Sequence, residues 1–202
     1  MKPRCVKADN PGPFTLDGTR TYLVGRRHVA IIDPGPDVES HVRALVQAAA
    51  GAEKIWVLLT HGHSDHAGSG AQLAALLDAE IVGVGLDTAR ALSPGETIHT
   101  DSGRLTMLDT PGHSREHVTF HWIDSQAAFP GDLVLGTGDT TWVGEYPGCV
   151  ADYLDSLDRL RALGCEILYP AHGPPIDDPI AALDTYEEHR RSRIRQVREL
   201  LA

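Results

Sequence analysis

Between Thr60 and Gly68 the chain reads THGHSDHAG, placing three histidines and an aspartate, His61, His63, Asp65 and His66, within six positions. Imidazole nitrogen and carboxylate oxygen together suit zinc or another borderline divalent ion. The i, i+2 spacing of His61 and His63 lets two rings of an extended segment face one ion. Asp65 and His66, past a bend, can face a second. Gly62 and Gly68 let the backbone turn without steric cost. The competing reading is a polar loop, and the rest of the chain decides between the two.

Further candidates stand where apolar runs of strand length end in polar, glycine-rich turns. IID runs into Asp33-Pro34-Gly35, MLDT into Pro111-Gly112-His113-Ser114, AAFP into Gly131-Asp132, and ILYP into Ala171-His172-Gly173. Strand-end loops are where a rigid scaffold displays functional groups. One zinc takes three or four ligands. The seven candidates His61, His63, Asp65, His66, His113, Asp132 and His172 exceed that number, and fit two adjacent ions that share a carboxylate. Two such ions share a water, lower its pKa toward neutrality and present hydroxide to an electrophile, one ion also polarising the substrate oxygen. Asp65 is the expected catalytic residue, orienting that hydroxide and passing a proton to the leaving group.

The elements that must position these groups follow from periodicity. TYLVG, VAIID, KIWVLLT, AEIVGVG, RLTMLDT, HVTFHWI, AAFPG and CEILYP read as strands. VESHVRALVQAAA, GAQLAALLD and VADYLDSLDRLRALG read as helices. A last helix starts near Pro179, with Ile180, Leu183, Ile194 and Val197 on its apolar side. The 202 residues, 42% of them hydrophobic, suit one domain. A formal net charge of −10 argues against a broad nucleic-acid-binding surface, although HRRSRIR, His189 to Arg195, is a local basic run that also reads as a solvated helix face. No apolar run reaches membrane-spanning length, and MKPRCVKADNPGPF has no apolar core of a signal peptide. Cys5, Cys149 and Cys165 form no CxxC pair, so a reducing cytoplasm is the expected setting.

With Asp33, THGHSDH, PGHS, GD and PAHG in this order, the chain resembles the metallo-beta-lactamase superfamily over nearly its whole length. NPGPFTLDGTRTYLVG, GTGDTTW and YPAHGPPI resemble the beta-lactamase-like protein 2 branch, with glyoxalase II nearby. The resemblance implies an α/β (α+β) four-layer αββα sandwich with the site along one edge. It assigns His61, His63 and His113 to one ion and Asp65, His66 and His172 to the other. Asp132 would bridge them, and Asp33 would tether the histidine loop without binding metal. A single domain over 1–202 is expected, without the C-terminal accessory domain that members of these branches carry. Two divalent ions are expected, zinc first, with Mn²⁺ or Fe²⁺ as fits to the same donors. The expected activity is hydrolysis of a small thioester, ester or lactone. Cleavage of single-stranded RNA is the alternative, and beta-lactamase or mononuclear iron persulfide dioxygenase activity stands behind both. The oligomeric state is open.

Overall fold

A computed structural model describes residues 1–93 and 95–202. The chain forms β1 (Arg4–Lys7), β2 (Arg20–Val24), β3 (His28–Ile32), α1 (Glu39–Ala48), β4 (Lys54–Leu59), α2 (Ser64–Ala67), α3 (Gly70–Leu77) and β5 (Glu80–Gly83). It continues with β6 (Ile98–Thr100), β7 (Gly103–Asp109), β8 (Val118–Trp122), β9 (Ala127–Phe129), α4 (Cys149–Ala162), β10 (Ile167–Leu168) and α5 (Pro179–Leu201). The strands make two five-stranded mixed sheets, ordered β1-β2-β3-β4-β5 and β10-β9-β8-β7-β6. In the first, β3, β4 and β5 run parallel; in the second, β9 and β10 do.

The period of two along each strand explains the layering. On β3, Ala30 and Ile32 face the second sheet, where they pack with Trp56, Leu58, Phe120, Trp122 and Phe129. Val29 and Ile31 face the other way, toward Val42 and Leu45 of α1 and Leu73 of α3. On the far side, Tyr153, Leu157 and Leu160 recur at helical spacing on α4 and pack with Leu183 and Tyr186 of α5 against Ala128 and Leu168. The result is helices, sheet, sheet, helices: the αββα sandwich. Val57, Leu58 and Leu59 of β4 have no exposed surface, so each contributes about 1.5–3 kcal/mol of burial. α5 starts with Pro179 in its first turn, and the Asp178 carboxylate accepts the Ala181 N–H at 3.0 Å.

Three sequence expectations need correction. CEILYP holds strand geometry only at Ile167–Leu168, because Tyr169 to Ala171 bend toward the strand-end cluster, with Ala171 N–H bonded to the Gly131 carbonyl at 3.3 Å. The apolar side assigned to α5 is half right: Leu183 is buried, but Ile180 and Val197 are 47% and 52% exposed. The contacts that bury α5 come from Leu183 and Tyr186, near its N-terminal end. β1, α2 and β6, the last two only four and three residues long, were not anticipated.

No described helix is long and apolar enough to cross a membrane.

Candidate metal centre

The C-terminal ends of β3, β4, β7, β9 and β10 lie along one edge of the sandwich, and the polar turns that follow them meet there. Direct backbone bonds lock the two sheets together at this edge. Val118 N–H donates to the Thr60 carbonyl at 2.8 Å, and Arg20 N–H to the Ala171 carbonyl at 2.7 Å. Glycine is needed where the turns press on their neighbours. At Gly112 (φ +137°) a Cβ would lie 2.6 Å from the Tyr153 Cα of α4.

All seven sequence-derived ligand candidates come together. Nε2 of His61 lies 3.0 Å from Nδ1 of His63, and Nε2 of His113 lies 3.1 Å from the same atom. Four-coordinate zinc with Zn–N bonds near 2.0–2.1 Å separates its ligand nitrogens by roughly 3.3 Å, so these three converge as one ligand face. On the other side, Nε2 of His172 stands 3.2 Å and Nε2 of His66 3.5 Å from Asp65 Oδ2. Asp132 lies between the groups. Its Oδ1 is 3.4 Å from both His66 Nε2 and His172 Nε2, and its Oδ2 is 3.6 Å from His113 Nε2. His61, His66 and Asp132 form a third set of converging donors that joins the other two.

These residues fit metal ions on a further count. His66 Nε2, His172 Nε2 and Asp132 Oδ1 are buried without a hydrogen-bond partner and aim at a common centre. Buried polar atoms are rarely left so unless an ion or water completes them.

The electrostatics divide the histidines. Burial, reinforced by the imidazoles around it, pushes His61 well below the ordinary histidine pKa, so the ring is a neutral donor. Burial likewise lowers His113. Burial alone would depress His66 too, but the carboxylates of Asp132 and Asp33 outweigh it and hold His66 well above the ordinary value. Burial opposes charge on Asp65 and Asp132, yet the neighbouring histidines keep both carboxyl groups below the usual range and ionised.

Asp33 sits one step behind the donors. Its Oδ1 accepts the Thr60 N–H at 2.9 Å, and its Oδ2 accepts the Thr60 hydroxyl at 2.8 Å and faces His66 Nδ1 at 3.0 Å. Thr60 Oγ1 also reaches His61 Nδ1 at 3.0 Å. Asp33 thus holds the backbone before His61 and the ring of His66 at once. The hydroxyl of Ser114, the residue after His113, is buried without a hydrogen-bond partner.

The cluster forms the floor of an open cavity of about 830 Å³. Pro13, Phe14, Leu135, Thr141 and Trp142 line its walls. Phe14 and Trp142 are 79% and 60% exposed. Arg190, from the basic run, was missed as a support of this wall. Its guanidinium donates to the Thr141 carbonyl at 3.0 Å and lies over the Tyr153 ring.

Fold and strand-end donors together define an αββα sandwich whose edge carries donor groups that could hold metal ions. Residues 14–92 and 86–172 match the family model described as the metallo-beta-lactamase superfamily, and the chain belongs to that superfamily. Among similar proteins, a beta-lactamase-like protein 2 homolog of Caenorhabditis elegans is 32% identical, across 97% of this chain and 70% of its own length. An atrochrysone carboxyl ACP thioesterase of Aspergillus chevalieri is 36% identical, across 98% of this chain and 65% of its own. A lactamase-like protein of Aspergillus niger is 38% identical, across 95% and 61%. The chain therefore spans about 60–70% of these relatives. A metallo-beta-lactamase family protein from Thermus thermophilus superposes with a TM-score of 0.80 at 23% identity, covering 98% of this chain and 82% of its own. A beta-lactamase domain protein from Burkholderia ambifaria gives 0.81 at 22% identity, covering 99% and 76%.

Proposed function

We propose that this chain is a metal-dependent hydrolase with a binuclear centre, zinc being the expected metal, and that it cleaves a thioester, or a related ester or lactone, of a small apolar acyl group. The observation that carries the reading is the pairing of floor and wall. The donor cluster opens into a cavity walled by Phe14, Leu135 and Trp142, and no lysine or arginine is among its described lining residues. A polyanion such as RNA calls for cations along its path. The basic run supplies few. Arg191 pairs with Glu187 at 2.7 Å, Arg195 pairs with Glu188, and Arg190 turns back to Thr141. The relative named as a thioesterase supports the same substrate class.

His61, His63 and His113 would hold one ion, Asp65, His66 and His172 the other, with the two oxygens of Asp132 shared between them. Bound there, the ions would supply Lewis acidity and an acidified water. The chain's own groups do the rest. The Asp65 side chain is 25% exposed, against 10% for Asp132, so of these two carboxylates it is the one more open to a water and a substrate in the cavity. Its ionised state makes it a proton acceptor toward the water and then a donor toward the departing sulfur. Phe14 and Trp142 would cover the acyl chain and exclude water. The free thiols of Cys5, Cys149 and Cys165 fit a cytoplasmic setting.

The test is to offer zinc-loaded protein a panel of acyl thioesters and, separately, a labelled single-stranded RNA, with an Asp65→Asn variant in parallel. Thioester turnover that falls at least about a hundredfold in the variant supports the reading. RNA cleavage with thioesters left intact would replace it with the phosphodiesterase alternative.

A further inference from the structure

The superfamily's ligand set leaves a buried histidine unexplained. His117 lies four residues beyond His113, just before β8, and is 1% exposed. Its ring centroid is 5.1 Å from that of His61 and 6.0 Å from that of His113, near enough to be taken for an eighth donor. Both its nitrogens are already engaged. Nε2 accepts the backbone N–H of Asp132 at 3.3 Å, so that nitrogen carries no proton. The proton of the neutral ring therefore sits on Nδ1, which donates to Thr110 Oγ1 at 3.0 Å. Thr110 Oγ1 is in turn 3.0 Å from Thr119 Oγ1, and the Thr110 N–H donates to the His117 carbonyl at 2.9 Å. The β7–β8 hairpin thus fixes both the tautomer and the direction of the ring.

We propose that His117 is a positioning residue for the metal centre: it holds the backbone of Asp132 so that the two oxygens of that carboxylate divide between the two ligand groups. The turn it grips has little freedom. Gly131 lies at φ +50°, and a Cβ there would stand 2.6 Å from Thr60 Oγ1 and 2.8 Å from His117 Nε2. The Asp132 side chain follows directly, reaching 3.4 Å to His66 and His172 with one oxygen and 3.6 Å to His113 with the other. A small rotation about the Asp132 backbone would lengthen one set as it shortened the other.

The proposal rests on Asp132 being a ligand and not on the substrate, so its test reads zinc and ring protonation. In zinc-loaded protein, an imidazole nitrogen NMR spectrum is expected to show His117 with a protonated Nδ1 and a bare, metal-free Nε2; the opposite tautomer or a metal-bound nitrogen overturns the proposal. Zinc dissociation constants, measured by chelator competition, should then weaken about 10–100-fold in His117→Leu, as for loss of an outer partner of a ligand. His117→Gln, whose side-chain oxygen can accept the same N–H, should recover most of that loss. Thr110→Val should cost less than His117→Leu but a measurable amount. Equal affinity in all three variants overturns the proposal. So does an equal loss in the Gln and Leu variants, because the hydrogen bond would then be irrelevant. Should the Leu variant not fold, Thr110→Val decides alone: a folded protein with unchanged affinity overturns the proposal, and a weakened one supports it. A parent chain that binds no zinc would instead sink the function proposed above.

Discussion

Asp33 offers the sharpest test of how the fold holds the metal centre, because its contacts can be counted. The carboxylate takes three buried donors: the Thr60 N–H, the Thr60 hydroxyl and His66 Nδ1. In Asp33→Ala the hydroxyl can turn to His61 Nδ1 at 3.0 Å, but the Thr60 N–H and the His66 ring lose their partner. Each stranded buried donor costs about 1–3 kcal/mol. Asp33 also lies at φ +50°, where alanine is strained by about 1 kcal/mol more than aspartate. The sum is about 3–7 kcal/mol in the chelated protein. Asp33→Asn keeps one oxygen for the Thr60 N–H and tolerates the left-handed backbone, so it should cost about 1–3 kcal/mol. Urea unfolding at unchanged m reads both values. An alanine penalty below about 1 kcal/mol, or an asparagine variant as damaged as the alanine one, would show that the carboxylate does not tie the loop.

Metal should stabilise the fold: at zinc a hundred times its dissociation constant the gain is about 2.7 kcal/mol, or roughly 5–10 °C in Tm for a domain of this size. A calorimetric scan with and without chelator checks it, and coincident transitions would count against a preformed centre. Trp142→Ala should raise KM for apolar acyl thioesters about tenfold while leaving zinc affinity unchanged, since the indole lines the cavity and is not among the converging donors; a kcat effect alone would contradict a binding role. Asp101 gives a pH prediction away from the metal. It accepts backbone N–H groups of Arg26, Arg27 and His28 at 2.8–3.0 Å, which hold its carboxyl pKa down at about 2. A depressed carboxyl stabilises the fold above its unfolded value near 4, and that contribution disappears as pH falls from about 4 to about 2. A carboxyl-carbon NMR titration with its midpoint near 4 would refute this.

Much of the centre was legible in sequence because metal donors are chemically distinctive and stand at strand ends that hydrophobic runs announce. THGHSDH after KIWVLLT is such a case, and PGHS after RLTMLDT another. What escaped was set by partners far away in sequence. The role of His117 depends on a backbone N–H fifteen residues on, which no side-chain pattern encodes. Arg190 carries the same sequence signature as its solvated neighbours and differs only in having Thr141 and Tyr153 within reach. α2 has four residues, less than one period beyond a single turn. β1 is short and half-buried on alternate residues, within a stretch rich in proline and glycine. Val197 keeps helical spacing with Leu183 and is nonetheless 52% exposed. Periodicity reports which face is apolar, not whether anything covers it.

The donors and the cavity wall differ in how they are anchored, and this bears on how such a protein can change substrate. His61, His113, Asp132 and His172 follow directly from strands whose registers are fixed across two sheets and whose ends are tied by Val118 to Thr60 and Arg20 to Ala171. To move one of them is to disturb the sandwich itself. Phe14 and Trp142 lie instead in segments outside every helix and strand; the first is held by the local Gly12 to Leu16 bond, the second by Arg190 on the Thr141 carbonyl and by His113 Nδ1 on the Trp142 carbonyl at 2.9 Å. Substitutions there change the shape and chemistry of the wall at little cost to the core. Substrate range is therefore free to shift through the Pro11–Thr15 segment, and through the side chain of Trp142 as long as its carbonyl stays on His113 Nδ1; a swap of Pro11–Thr15 with a relative of different specificity should carry specificity with it.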